Sequence, residues 1–308
     1  MNLHREKNDS KGIIFDIQRY AIHDGPGIRM LIFLKGCPLH CPWCDNPESQ
    51  NLNPELVWFQ SNCIGCKRCL EICPNHAIAD VNGHLTVEEA LCNHCEQCVS
   101  ACPSNAWVMI GKQYSLKEII DEVNKDRIFF ENSGGGVTLS GGEPTFQPQF
   151  LEQLLVELKK NHIHTAIETC GCFTDEIRER ISDFIDLFLF DLKITNPTLH
   201  RKYLGVDNTQ IMKNLKRLVH LKKPVIPRFP IIPGYTDDDE NITKIAEFID
   251  SLNLKLVHIL PYHNLGQSKY PRLKRKYQID PTQKIDKARI NEIVERLKHY
   301  GFDVKIGG

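Results

Sequence analysis

The sequence predicts an α/β protein, an open and partial (β/α)6 barrel of the TIM-like kind, with a cysteine-dense domain inserted after its first strand. Three observations predict it. Short β-rich apolar segments alternate with stretches of helical periodicity from residue 112 onward. The residues able to do chemistry fall at or just past the C-terminal ends of those segments, where parallel sheets build their sites. Between 51 and 111 the composition changes to closely spaced cysteines with only short apolar pieces. The chain therefore divides into a barrel, 1–50 with 112–308, and an insert, 51–111.

The elements follow in order. Leu31–Lys35 is the first strand and feeds the first cysteine loop. After the insert come a helix over Leu116–Lys125 and a strand over Val137–Ser140. The helix Phe150–Lys160 carries Leu151, Leu154, Leu155 and Leu158 at helical spacing. Strand His164–Glu168 leads to helix Thr174–Ser182, and strand Leu187–Leu192 to helix Gln210–Leu221. Strand Val225–Ile232, helix Asp239–Leu252, strand Leu256–Leu260 and helix Lys284–Tyr300 complete the pattern. Connections of this length between strands imply parallel pairing by βα crossovers, and five or six such units leave a barrel short of eight-fold closure.

Composition bounds the function. With 308 residues, 41% hydrophobic and 25% charged, the chain is an ordinary globular protein able to bury a large core. A net charge of -1 predicts no nucleic-acid footprint. No apolar run approaches the roughly 18 residues of a membrane span, and the first residues lack the apolar core of a secretory signal. The expectation is a cytoplasmic protein without a membrane partner.

Thirteen cysteines in a reducing compartment point to metal rather than disulfides. Two runs share the form C-x2-C-x2-C-x3-C-P: Cys63, Cys66, Cys69, Cys73 and Cys92, Cys95, Cys98, Cys102. Three cysteines at this spacing wrap one face of a 4Fe–4S cubane, and the fourth, ahead of a proline, is carried to the other cluster. The expected sets are therefore crossed: Cys63, Cys66, Cys69 with Cys102, and Cys92, Cys95, Cys98 with Cys73. The alternative is zinc, but zinc modules usually take two cysteines from each of two knuckles. The runs read as a ferredoxin-like insert.

A third group, Cys37, Cys41 and Cys44, is one thiolate short. A cubane held by three thiolates leaves one iron for an exogenous chelating group, and Trp43 would line that loop; a zinc site or scattered buried cysteines is the bland reading. Cys170 and Cys172 remain over and read as packing thiols.

The surrounding motifs are HDGPGIR (His23–Arg29), GCPLHCPWCDNPESQ (Gly36–Gln50), LSGGEPTFQP (Leu139–Pro148), ETCG (Glu168–Gly171), DLK (Asp191–Lys193), RFPIIPGYTDD (Arg228–Asp238) and LPYHNLGQSKY (Leu260–Tyr270). Taken together and in order, they resemble the glycyl-radical-enzyme activating enzymes of the radical SAM superfamily, in the subclass with a two-cluster insert. The resemblance implies three 4Fe–4S clusters and S-adenosylmethionine as co-substrate. Its amino and carboxylate groups would bind the open iron, and one electron would split a C–S bond to give a 5′-deoxyadenosyl radical. That radical takes a hydrogen from a glycine Cα of a partner glycyl radical enzyme.

Roles carried over from the resemblance follow by position. Gly141 and Gly142, with Glu143 in the same element, receive the methionine ammonium. Asp191 and Lys193 hold the methionine portion and the peptide partner, although a surface lysine is the bland alternative for Lys193. Glu168 stands where an acid helps hold a monovalent cation near the cofactor carboxylate. Arg228, in an apolar strand, needs a carboxylate partner, either the cofactor's or the protein's own. His263 takes the ribose or adenine side, and Asp24 and Arg29 shape the entrance for the partner. Reduced flavodoxin or ferredoxin is the implied electron donor. Cys170, Cys172 and Met30 depart from the commoner family pattern. Two rival readings are radical chemistry on a small molecule or other peptide, and a ferredoxin-like carrier without catalysis, which would leave the barrel unexplained.

Overall fold

A computed structural model describes residues 10–280 and 282–307. The chain opens with β1 (Lys11–Ala21) and β2 (Arg29–Leu34). It then enters a small body with β3 (Glu55–Trp58), β4 (Ile78–Val81), β5 (His84–Val87) and β6 (Trp107–Ile110). It returns through β7 (Lys112–Ser115) to β8 (Gly136–Gly141), β9 (His164–Thr169), β10 (Leu187–Asp191), β11 (Val225–Ile231), β12 (Leu256–Pro261) and β13 (Asp303–Ile306).

One nine-stranded sheet has the order β13-β12-β11-β10-β9-β8-β2-β1-β7. From β2 to β13 every neighbour is parallel, whereas β1 runs antiparallel to both β2 and β7. The sheet is open, ending on β13 at one edge and β7 at the other. The six expected strands and six expected helices are present with ends displaced by a few residues. The structure adds β13 as a further parallel strand and β1 with β7 as an antiparallel flank.

Local chemistry explains the helices. Ser115 and Glu118 form a reciprocal capping box at the start of Leu116–Lys125, with the Ser115 amide donating to Glu118 at 2.8 Å. Pro148 opens the helix Pro148–Lys160, where its missing N–H costs nothing. Leu151, Leu154, Leu155 and Leu158 of that helix are wholly buried against the sheet, each worth about 1.5–3 kcal/mol.

In the small body, β3 pairs with β6 and β4 with β5, both antiparallel. Short helices Arg68–Ile72 and Gln97–Ser100 each follow a left-handed residue, Lys67 and Glu96. Leu56, Ile78, Leu85, Val87 and Trp107 form its core together with Cys69 and Cys98. Its root is ionic. Lys35 at the end of β2 is fully buried and donates to the Glu48 carbonyl at 2.7 Å and to the Glu55 carboxylate at 2.9 Å. Arg275 reaches the other oxygen of Glu55 at 2.6 Å. Among the described residues, no helix is long and apolar enough to cross a membrane.

Candidate active site

Side chains alternate along a strand, so register decides which of them share a face. Leu189 stands beside Glu168, Asp191 beside Arg228, and Arg228 beside His258. Glu168, Asp191, Arg228 and His258 therefore share the concave face near the C-terminal strand ends. Arg228 donates through Nε to Asp191 at 2.8 Å and through Nη1 to Glu168. Lys193 Nζ reaches the other Asp191 oxygen at 3.1 Å, and Ser140 donates to Glu168. Burial works against each of these charges. Arg228 and then Lys193 nevertheless hold the Asp191 carboxyl below its ordinary value, and Asp191 holds Lys193 above its own. Of the two carboxylate partners open to Arg228, the structure supplies the protein's own. Lys193 is largely buried in this network, not a surface lysine.

Glu168, Asp191, Lys193 and Arg228 face a cavity of about 250 Å³. Cys37, Cys41, Trp43 and Cys44 line one side of it; Ser140, Gly141, Gly142, Glu168, Asp191, Lys193 and Arg228 also line it, and His263 stands at the rim. Burial pushes the Cys44 thiol up to about 12 and Cys41 further. Buried thiolates need a cation, so metal binding there must release protons. Cys37 is the exception: contact with the Cys170 thiol, and the Leu39 amide at 3.4 Å, lower it against its burial. Cys170 also packs with Leu39, Ile194 and Leu204, so it is a packing thiol that in addition touches a candidate ligand.

The glycines bring two backbones together. Gly141 has φ +117, and a Cβ there would lie 2.2 Å from the Leu34 carbonyl; at Gly142 it would lie 2.4 Å from the Gly36 carbonyl. The end of β8 is thereby laid directly on the root of the cysteine loop, with the Glu143 amide donating to Gly36 at 2.8 Å. Glu143 differs from its expected place at the cofactor. It is fully buried and does not line the cavity. Its oxygens accept from Thr145 Oγ1 at 2.8 Å, Thr169 Oγ1 at 2.8 Å and the Cys170 amide at 2.8 Å. The turn after the glycines carries it behind the loop, where it braces two strand ends.

Other placements refine the reading. Trp43 packs on Tyr235 at 5.4 Å between ring centres. His263 is half-exposed, with Nδ1 3.7 Å from Asp45. Arg29 is not at an entrance: it is wholly buried and donates to Thr138 Oγ1 at 2.6 Å and to the Pro26 and Val137 carbonyls. It tethers the loop that carries Asp24, whose carboxyl is pushed up to about 6 by burial and by Glu168. Tyr270 and Lys269, at the end of the LPYHNLGQSKY motif, donate to the Cys44 and Asp45 carbonyls, both at 2.9 Å.

In the small body, Cys63, Cys66, Cys69 and Cys102 line one small cavity. Cys73, Cys92, Cys95 and Cys98 line another. The fourth cysteine of each run accepts the amide four residues on, Ala77 to Cys73 at 3.3 Å and Ala106 to Cys102 at 3.2 Å. Among the described residues, no three histidine, cysteine, aspartate or glutamate side chains gather as tightly as the ligands of a single ion. The donor chemistry around the barrel cavity fits an iron–sulfur cluster with an adjoining zwitterionic ligand, since thiols share one chamber with paired acids and bases.

The sequence profile of the Radical SAM superfamily matches residues 31–246. The chain is a radical SAM protein. It is 42% identical over 299 residues to the trans-4-hydroxy-L-proline dehydratase activating enzyme of Clostridioides difficile, across 96% of this chain and 99% of that one. It is likewise 42% identical over 294 residues to the (2S)-3-sulfopropanediol sulfolyase activating enzyme of Bilophila wadsworthia, across 94% and 97%. A solved domain of a pyruvate-formate lyase-activating enzyme from Bacteroides vulgatus shares 32% identity at a TM-score of 0.48, covering 57% of this chain and all of that one. This radical SAM protein belongs to the glycyl-radical-enzyme activating enzymes. It is an oxidoreductase that depends on a 4Fe–4S cluster and S-adenosylmethionine, and its substrate is a protein.

Proposed function

We propose that the barrel cavity is where S-adenosylmethionine is held and the partner's glycine is reached, with Cys37, Cys41 and Cys44 as the cluster ligands. The observation that carries this is the shared chamber: three thiols together with Glu168, Asp191, Lys193 and Arg228, all at the C-terminal ends of parallel strands. When bound, the cluster and S-adenosylmethionine supply the reductive C–S cleavage whose radical takes hydrogen from the partner's glycine. The protein's own residues bind and orient. Gly141 and Gly142 leave their backbone open beside the cavity, as an ammonium-accepting edge requires. Lys193 and Arg228 keep their charge in a buried place because Asp191 and Glu168 neutralise them. Together they present a fixed dipolar surface to the methionine end of the ligand, and a cation beside Glu168 would extend it. Trp43 and His263 flank the adenosine side. Glu143 acts from behind as a positioning residue, and Asp24 lies on the tethered loop beside Glu168.

The small body, residues 51–111, is proposed as a ferredoxin-like domain holding two further 4Fe–4S clusters on the crossed sets, fed by reduced flavodoxin or ferredoxin. The crossed cavities and the matching amide-to-sulfur hydrogen bonds support that reading. The relatives' names attach the family to dehydratase, lyase and decarboxylase partners, and a glycyl radical enzyme of this kind is the partner proposed here. The test is anaerobic incubation of the reduced holoenzyme with S-adenosylmethionine and a candidate glycyl radical enzyme partner. The expected result is 5′-deoxyadenosine together with a glycyl radical signal by EPR. Failure to cleave S-adenosylmethionine overturns the site; cleavage without a radical in that enzyme overturns the choice of partner.

A further inference from the structure

We propose that a small acidic one-electron carrier protein docks on the insert at Ile64, Cys66, Lys67 and Arg68. It delivers its electron through the set Cys63, Cys66, Cys69 and Cys102. The inference rests on the reading that both crossed sets hold clusters, and goes beyond it by naming the port.

The two cysteine runs are near copies in backbone and differ in what surrounds them. Lys67 and Glu96 both sit between the second and third cysteine, both at φ 59, and each starts a short helix that buries the next cysteine, Cys69 or Cys98. The second cysteines, Cys66 and Cys95, are both exposed. Each cavity therefore offers a route to solvent at the same place. Ile64, Lys67 and Arg68 at the first stand where Asn93, Glu96 and Gln97 stand at the second. Ile64 is 67% exposed. Among the described residues Arg68 makes no ion pair, and Lys67 meets Asp80 at 2.9 Å while keeping most of its side chain in solvent. Arg272 adds a third cation, 4.7 Å over the ring of Phe59, just before Cys63. Around the second set stand Glu89 and Glu96, with His94 4.0 Å from Glu89. The exposed isoleucine has Arg68 beside it, Lys67 offset by Asp80 and Glu71 on the same short helix, so with Arg272 the rim of this small apolar centre keeps a net positive excess. Its complement is a cofactor edge set in an acidic surface.

The ladder of β3 and β6 gives the direction of travel. Its Glu55–Ile110 end is rooted on the barrel through Lys35. Leu56 and Met109, the next pair along, line the cavity of Cys73, Cys92, Cys95 and Cys98. Trp107, paired with Trp58 at the far end, lines the cavity of the first set. Counted along the ladder from the Lys35 root, the acidic set comes first and the basic port second, the outer station on that path. The carrier is oxidised by one electron and the outer set reduced by one; no bond forms or breaks and no proton moves.

The experiment is anaerobic stopped-flow mixing of the holoenzyme with fully reduced flavodoxin as the acidic probe, read by cluster absorbance. In the wild type the second-order rate constant should fall steeply with added salt. The variant Lys67→Glu/Arg68→Glu should react at least about ten-fold more slowly at low salt and converge with wild type at high salt. Glu96→Lys should not slow it. Photoreduction by a small deazaflavin should be equal in all proteins. Should the double variant fail to load iron, Ile64→Ser and Arg68→Gln carry the same comparison. A salt-independent wild-type rate, or full iron content with an unchanged flavodoxin rate in the variants, overturns the port. Iron and sulfide matching one cubane per wild-type chain overturns the cluster reading beneath it.

Discussion

Arg228 on β11 stands in register with Asp191 on β10, and their side chains meet at 2.8 Å on the concave face of the sheet. The pair is the hub of a buried network that takes in Glu168 and Lys193, so one cation holds two acids in place. Removing one member of a buried ion pair strands the others. Arg228→Met should destabilise the fold by about 3–5 kcal/mol, read by anaerobic urea denaturation. A loss within the range of a surface change, below about 0.5 kcal/mol, would show that the network is not desolvated.

Cys41→Ala should abolish 5′-deoxyadenosine formation while leaving in place the iron proposed for the small body. Cys41 lines the barrel cavity and neither cavity of the small body, and neither crossed set includes it. Iron analysis beside chromatography of the S-adenosylmethionine products decides it. Retained cleavage would remove the barrel thiols from the chemistry.

Glu143→Gln tests the brace behind the cavity. The carboxylate accepts only, from Thr145, Thr169 and the Cys170 amide. An amide would turn a donor toward one of these donors, leaving a buried polar group unpaired at about 1–3 kcal/mol. The melting midpoint should fall, and Glu143→Ala should fall further. Were Glu143 a direct ligand contact instead, the substitution would weaken S-adenosylmethionine binding without changing stability.

His258 sets a pH dependence. Burial first, then the Lys305 and Arg228 cations, lower its pKa from 6.5 to about 4, and among the described residues its Nδ1 has no partner. The folded protein keeps the ring neutral, so its contribution is fully present above pH 6.5. The unfolded chain starts to take up the proton near 6.5, and stability falls as pH drops from there toward 4. The slope approaches roughly 1.4 kcal/mol per pH unit. His258→Leu should flatten that part of a stability-against-pH curve, and an unchanged slope would assign it to other groups.

The parallel core was legible because each of its strands is a short apolar run between turn signals and helical periodicity. The missed strands lie toward the margins. Two of them, β7 (KQYS) and β13 (DVKI), are four residues long, at the two sheet edges, and carry polar or charged side chains. An edge strand buries little and so leaves little apolar signal. Within the site, Glu168, Asp191 and Arg228 come to one face because period-two alternation and strand register decide their facing. Glu143 was misplaced because two glycines precede it and the chain direction after them is set by contact with Gly36, which has no trace in local sequence. Tyr270 and Lys269 bond to backbone carbonyls more than two hundred positions away, and nothing in a single sequence marks such a pairing.

The segment that carries those two residues has a consequence for assembly. Tyr270 holds the Cys44 carbonyl, Lys274 holds the Val87 carbonyl of the small body at 2.6 Å, and Arg275 holds Pro47 and Glu55. All of these bonds wait for residues that leave the ribosome long after the cysteines they secure. The order of the chain alone therefore puts the cysteine loop in solution before the residues that clasp it exist.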